Sequence, residues 1–506
     1  MVVGFFSLLG GLTGILVETS IAAHLGLSRS SDTFYVAFTI PYIITNLLSA
    51  TGQFSLVPFF ASLDARHSAE EMWQGFSYAV NVAFLGLGAI AVVGAAAAPV
   101  VIRGIAPGFT RPQTELAIQL SQWLFLILLP AGVAEVFRSF LLSRQRFALP
   151  SAAGFFRNAL VILSVLLTFN RYGLYSIVLG YLAGYFLQLG ILGAQILISF
   201  PVRYTLTLAG SGEAFRNLRG AGASQLATAL AWQVVVVVER IIASFLPAGT
   251  LTALGYGFKI LSTIAELLAG SVGTAALPSL SRAVVRQEQT VEQKSFHAAL
   301  EISLALVSPM VVFCLMLDRN IIRLVFERGN FTIEATALMS MVFFYYSLSL
   351  LSFSFIRLLT FYLFARNEVL AFFRLALLMY GLVVAFDLLF VGVLRMGAKG
   401  IPLGLLTGSL VTCVLVFHRN IANLTGTLDG GLTIFTAKSA LGAALAALAV
   451  WALRLWVRPP LTGAENFVYL CKLCGAGSGV FLATLLASRA FPVPHLASLW
   501  QRSADS

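Results

Sequence analysis

Apolar stretches of about twenty residues follow one another along almost the whole chain, separated by short polar breaks. At about 1.5 Å per residue, each is long enough to cross the hydrocarbon core of a bilayer as a helix. The pattern predicts fourteen spans, near residues 3–23, 33–60, 76–100, 116–142, 150–169, 174–198, 222–246, 250–279, 297–317, 335–364, 370–393, 400–418, 433–456 and 466–489. The strict alternation of a membrane barrel is absent. The breaks leave no room for a soluble domain. The expected fold class is therefore an all-α polytopic membrane protein of about 14 transmembrane helices.

The pattern repeats. Residues 21–60 return without a gap at 241–280, with Ile21/Ile241, Ala23/Ala243, Phe38/Phe258, Ile40/Ile260 and Pro58/Pro278 in register. Arg103 and Arg323 keep that register, and the sequences Gly108–Thr110 and Asn330–Thr332 follow two residues out of step. Each repeat holds six predicted spans. An even number puts both halves into the membrane from the same side, related by a pseudo-twofold axis along its normal. The expected organisation is an N-lobe at 1–200, a C-lobe at 215–420 and two additional helices at 433–490. The segment Ser199–Gly220, with Pro201, Gly210 and Gly212, is the expected linker between the lobes. A duplicated apolar chain points to a transporter whose lobes rock about a central site.

Composition agrees with a bilayer as the solvent. Of 506 residues 59% are apolar and 10% charged, and the mean hydropathy is +0.91. A formal charge of +11 raises the question of nucleic acid. The basic residues are scattered among loops, which excludes that partner and fits the positive-inside rule instead. Arg138, Arg144, Arg146, Arg203, Arg216 and Arg219 place their loops in the cytoplasm, and with them both termini. No basic region precedes the first apolar run, so no cleavable signal is expected, and the chain starts so close to its first helix that a start further upstream is expected.

Enzyme chemistry finds no foothold. There is no P-loop, no HExxH and no GxSxG. Cys471 and Cys474 form a CxxC around Lys472 with no second pair or histidine, which reads as packing rather than metal or redox chemistry. No cofactor is expected, and a gradient, the membrane potential or the substrate's own concentration difference is the expected energy source, with Na⁺ and H⁺ as candidate coupling ions.

Charges inside apolar spans are costly and usually face a cavity or one another. Glu18, Glu135, Glu239, Arg240, Lys259, Glu266, Arg357 and Asp387 are of this kind. Lys259 and Glu266, seven residues apart, share a helix face. Lys259 and Arg357 are candidates for binding a phosphate or diphosphate. Glu18, Glu266, Glu239 and Arg240 are candidates for coupling or for charge pairing, the last two near a helix end from which they can also snorkel. Pro41, Gly52 and Pro58 in the second span, with Pro278 as repeat mate of Pro58, are candidate hinges.

Ser31–Pro41 reads SDTFYVAFTIP and Ile105–Phe109 reads IAPGF, and they resemble the TDAFxVAFxxP segment and the APGF loop of the MurJ/MviN family of lipid II flippases. Arg144–Pro150 (RQRFALP) with Asn158 resembles RFxxP…N, Ala243–Ile260 and Gly273–Ser281 resemble the ends of the eighth helix, and Val325–Thr332 (VFERGNFT) resembles LFxxGxFT. The resemblance implies the multidrug/oligosaccharidyl-lipid/polysaccharide exporter fold and alternating access, with the polyprenyl tail along a groove near the last two helices. It implies a polyprenyl-diphosphate-linked peptidoglycan precursor as substrate, membrane lipids and cell-wall synthesis enzymes as partners, a role in cell-wall biogenesis and cell shape, and residence in the bacterial inner membrane. It adds Asp32, which keeps a family acid, to the candidate substrate-binding residues. The chain departs from the family where arginines are expected, with Gly11 and Val17 on the first helix and Thr45-Asn46 on the second. Lys259 keeps the eighth-helix cation, Phe258 replaces its acidic neighbour, and Phe361 replaces a proline after Arg357. A flippase for another lipid-linked oligosaccharide, of exopolysaccharide or O-antigen type, and a non-transporting relative are the alternatives. A multidrug exporter fits less well, because Lys259 and Arg357 oppose a cationic cargo.

Overall fold

The polar breaks between spans act as helix caps. The Ser28 N–H donates to Ser31 Oγ (2.9 Å) and the Ser31 N–H returns a bond to Ser28 Oγ (3.3 Å), which opens a helix at Arg29. Ser68 with Glu71 and Thr462 with Glu465 make the same reciprocal pair. The computed structural model describes residues 2–66, 68–208, 223–424, 430–460 and 462–488. Among these every regular element is helical.

In chain order the helices are α1 (Val2–Leu25), α2 (Arg29–Thr51), α3 (Val57–Arg66), α4 (Ala69–Ile105), α5 (Arg111–Phe125), α6 (Leu128–Ser143), α7 (Ala148–Tyr172), α8 (Leu174–Ser199) and α9 (Ala223–Ala243). They continue with α10 (Thr250–Ala265), α11 (Ser271–Val285), α12 (Gln289–Met316), α13 (Asp318–Phe326), α14 (Ile333–Leu348) and α15 (Leu350–Ala365). The last are α16 (Val369–Asp387), α17 (Gly400–Leu424), α18 (Gly430–Trp456) and α19 (Gly463–Ala487). Each of the fourteen expected stretches is helical. Among the described residues eleven spans have the length and apolarity to cross a membrane, and α14 with α15, bent by 50°, makes a twelfth. The other two expected spans fall on α1, whose apolar stretch among the described residues is the shorter Leu9–Leu25, and on α9, so twelve of the fourteen meet that test.

The chain packs as two compact units, Met1–Thr252 with Arg328–Phe331, and Ala253–Glu327 with Thr332–Ser506. In the first, Phe60, Trp73 and Phe76 surround Phe140 at ring-centroid distances of 5.5, 5.6 and 4.9 Å. Apolar lipid gives helices no solvent-driven reason to associate, so such close packing must hold them. In the second, Phe296 and Tyr362 (4.5 Å) join Leu358 and Leu359. There α18 and α19 pack on α12 through Val450, Tyr469, Leu473 and Phe313. Asn320 on α13 donates to Asn466 Oδ1 (2.8 Å), and the Asn466 amide answers to the Asn320 carbonyl (2.9 Å).

The duplication extends to the places where helices stop. Thr110 and Thr332 precede α5 and α14. The breaks between α5 and α6 and between α14 and α15 fall at Ile127 and Ser349. Gln145 (φ 57°) and Asn367 (φ 55°) end α6 and α15 in the left-handed region, and Gly173 and Arg395 share φ 53°. All these pairs follow the slip of two residues seen after Arg103/Arg323.

One contact is also made twice within the first unit. The Gly108 N–H donates to Ser244 Oγ (3.1 Å), at the end of α9. The Asn330 N–H donates to the Ala23 carbonyl (2.7 Å) and its side-chain amide to the His24 carbonyl (2.6 Å), at the end of α1. Ser244 and His24 are repeat mates. Gly26 closes α1 at φ +59°, and a Cβ there would lie 2.5 Å from the Asn330 carbonyl oxygen. Gly26→Ala is expected to cost about 1–2 kcal/mol in backbone strain alone, read as a lowered Tm of the detergent-solubilised protein.

The helix breakers behave differently from expectation. α2 runs through buried Pro41 without interruption. The departure comes at Gly52, where Gly52–Leu56 is a π segment and the Val57 N–H reaches back to the Gly52 carbonyl. Pro58 follows it within α3. In the other half Glu266–Gly270 is also a π segment, and Pro278 lies beyond it within α11. Of the expected linker, residues 201–208 have no regular structure and are tied to α4. Asn81 Nδ2 donates to the carbonyls of Thr205 (3.1 Å) and Thr207 (2.9 Å), and the Thr205 N–H donates to Ser77 Oγ (3.0 Å). Gly210, Gly212, Arg216 and Arg219 lie outside the described residues.

Candidate functional site

In the second unit, α10 carries Lys259 half-buried, and the π segment that follows begins with Glu266. Arg357 on α15 donates to Glu266 at 2.5 Å, both side chains being about half exposed (42% and 55%). Its guanidinium also lies 5.6 Å from the ring centroid of Phe361. Arg357 is thus already neutralised by a carboxylate. Lys259 is not: among the described residues it makes no ion pair. An uncompensated cation inside a span is stable only where water or an anion reaches it. The two cations are therefore unequal. Asp387, in the same unit, is fully buried on α16 against Gly404 of α17.

In the first unit, Glu18 on α1 accepts a hydrogen bond from the Tyr35 hydroxyl on α2. Asp32, 4% exposed, has another task. Its carboxylate accepts from the N–H groups of Gly249 (2.7 Å) and Thr252 (2.9 Å) and from Thr252 Oγ (2.7 Å). It caps the start of α10, where backbone N–H groups lack helical partners and the helix dipole favours an anion. Arg240 donates to the Leu251 carbonyl (3.2 Å) and ties α9 to the same turn, and Glu239 beside it is half-buried. Glu135 on α6 is buried and pairs with Arg138 at 2.9 Å.

The structure therefore brings Glu266 and Arg357 together, and Asp32 with the Gly249–Thr252 turn, whereas Glu18 and Glu135 each have their own partner. Two groups were not among the candidates read from the sequence. Tyr35 partners Glu18 but carries no signal, being one aromatic among many. Arg157 on α7 donates to Gln188 (3.3 Å) and to Asn158 (3.3 Å), with Tyr185 under its guanidinium at 4.9 Å. Its position within an apolar span was the signal for it. Among the described residues no three His, Cys, Asp or Glu side chains are placed to hold a metal.

A family model described as lipid II flippase MurJ matches residues 21–468. The probable lipid II flippase MurJ of Rhizobium meliloti (strain 1021) is 25% identical over 504 residues, covering 94% of this chain and 92% of the relative. The lipid II flippase MurJ of Burkholderia cenocepacia is 25% identical over 430 residues, 82% of each. Among solved structures, a lipid II flippase MurJ in an inward closed conformation superposes with a TM-score of 0.80 at 19% identity, over 96% of this chain and 99% of the other. An inward-facing multidrug resistance transporter of the MATE family, in the MOP superfamily, superposes with a TM-score of 0.68 at 15% identity, over 82% of this chain and 94% of the other. Both likenesses are of fold.

Proposed function

This chain belongs to the lipid II flippase MurJ family, and from that premise we propose that it carries lipid II, a polyprenyl-diphosphate-linked peptidoglycan precursor, across the bacterial cytoplasmic membrane by alternating access. The observation that supports this cargo is Lys259, a half-buried cation with no ion-pair partner among the described residues. A diphosphate moving through a low-dielectric interior needs such a charge. Arg357 is the second cation, shared between Glu266 and the cargo. Asp32 closes the turn at Gly249–Thr252 rather than touching the anion. The moving bodies are the lobes 1–200 and 215–420, with 433–490 attached to the second. Transport draws on a gradient rather than on hydrolysis, with Na⁺ or H⁺ as coupling ion, and cell-wall synthesis enzymes receive the product.

A second cargo, another polyprenyl-diphosphate glycan, is favoured by one feature. Gly11, Val17, Thr45 and Asn46 stand where the family resemblance leads one to expect cations. Complementation separates the two. Expression of this chain in cells depleted of their essential lipid II flippase sustains growth if lipid II is the cargo. Lysis despite normal membrane insertion excludes lipid II as the cargo and leaves another glycan or a non-transporting relative.

Both termini are cytoplasmic in this reading, because the number of spans is even and the arginine-rich loops lie inside. Ala504→Cys, at a position outside the described residues, is expected to resist impermeant thiol reagents in intact cells once the four native cysteines are replaced. Labelling there would reverse the orientation.

A further inference from the structure

Each half of the chain contains a π segment in its second span, and in each a charged side chain from the fourth span of that half faces it. In the first unit, a Cβ on Gly52, the first residue of the π segment Gly52–Leu56, would collide with the Glu135 carboxylate. Glu135 is buried on α6 and anchored by Arg138 at 2.9 Å. In the second unit, Arg357 on α15 holds Glu266, the first residue of the π segment Glu266–Gly270, at 2.5 Å. Glu135 and Arg357 occupy the same place in the repeat, each eight residues past the break in its fourth span, at Ile127 and Ser349. The two π segments fall within about two helical turns of each other in the repeat register. In both halves the duplicated position thus meets the first residue of a π segment, with a side chain of opposite charge.

A π segment spaces its hydrogen bonds one residue wider and lets a helix bend without losing the ladder, and such segments recur at functional sites. A buried carboxylate is costly unless paired. Here it sits directly over a glycine, and a Cβ at position 52 would force the carboxylate to move. We propose that Glu135 is a positioning residue for transport: anchored by Arg138, its carboxylate sits over Gly52 and holds the path of the second span through the π segment Gly52–Leu56. This rests on the transport reading above, but that path can be measured without transport.

The test uses the purified full chain with spin labels at Tyr42 on α2 and Ala61 on α3, both exposed and ~28 Å apart along a helical path. Glu135→Gln keeps the side chain's shape but removes the ion pair with Arg138. It is expected to broaden the label-to-label distance distribution and to lower lipid II translocation about tenfold, with Tm little changed. Gly52→Ala adds the colliding methyl. It is expected to shift the distance and to lower translocation at least tenfold, and adding Glu135→Asp, one methylene shorter, is expected to restore both. A wild-type distance distribution in both Glu135→Gln and Gly52→Ala overturns the inference, whatever the cargo. Wild-type translocation by Glu135→Gln overturns it as well. If the unmutated chain moves no lipid II, the transport reading fails, and the distance measurements alone decide whether Glu135 holds the path of the second span.

Discussion

Lys259→Ala is expected to abolish translocation while the protein still folds and inserts. The reason is electrostatic. A cation and a phosphate oxygen about 4 Å apart at an effective dielectric of about 20 attract by about 4 kcal/mol before desolvation is charged against them. Even half of that is more than tenfold in rate or occupancy. No neighbouring group is ready to replace it, because Arg357 is held by Glu266 at 2.5 Å. Folding should survive, since among the described residues Lys259 makes no ion pair that its removal would break. Lys259→Arg keeps the charge and is expected to retain much of the activity, whereas Lys259→Gln should behave like the alanine variant. Arg357→Ala should weaken transport less and leaves Glu266 without its partner. Flipping of labelled substrate by purified protein in vesicles, with size-exclusion profiles as the folding control, reads all four. Full activity of Lys259→Ala would remove the diphosphate site from α10.

Bridging positions 32 and 252 is expected to stop transport reversibly. The Asp32 carboxylate and the Thr252 hydroxyl are 2.7 Å apart, and two further N–H groups bind the same carboxylate. Alternating access requires the start of α2 and the start of α10 to part at some stage of the cycle. Three hydrogen bonds, at about 0.5–1.5 kcal/mol each and somewhat more to a charged acceptor, can be broken and remade in such a cycle, but a covalent link cannot. The pair Asp32→Cys and Thr252→Cys, joined by a short cleavable spacer, should therefore fall to background activity and recover on cleavage. Because the substitutions remove the cap itself, the unbridged double variant must first be shown active. Unimpaired transport with the bridge verified as formed would mean that these helix ends do not separate.

The membrane spans and the duplication were legible because each has a one-dimensional signature. A run of twenty apolar residues must span, and a duplicated segment such as Asn330–Thr332 repeats its neighbours' chemistry at a fixed spacing. Glu135 with Arg138 was also within reach, since residues three apart on a helix are neighbours. The partners of the remaining charges were not. Arg357 meets Glu266 across 91 residues, and Asp32 reaches Gly249 across 217. No local pattern distinguishes a carboxylate that caps a distant helix from one that lines a cavity. Pro41 read as a helix breaker, but α2 continues through it. The departure instead begins at Gly52, where a single extra residue in the hydrogen-bond spacing has no sequence code of its own. Lys259 was found as a buried cation, but its isolation from carboxylates is a property of the folded chain.

The most direct measurement of the central claim follows lipid II itself. In cells where this chain is the only flippase, lipid II should be accessible to an impermeant probe or enzyme acting at the outer face of the cytoplasmic membrane. That accessibility should disappear when Lys259→Ala replaces the wild type at equal abundance. Lipid II that stays confined to the inner leaflet with the wild-type chain present and correctly inserted would contradict the account.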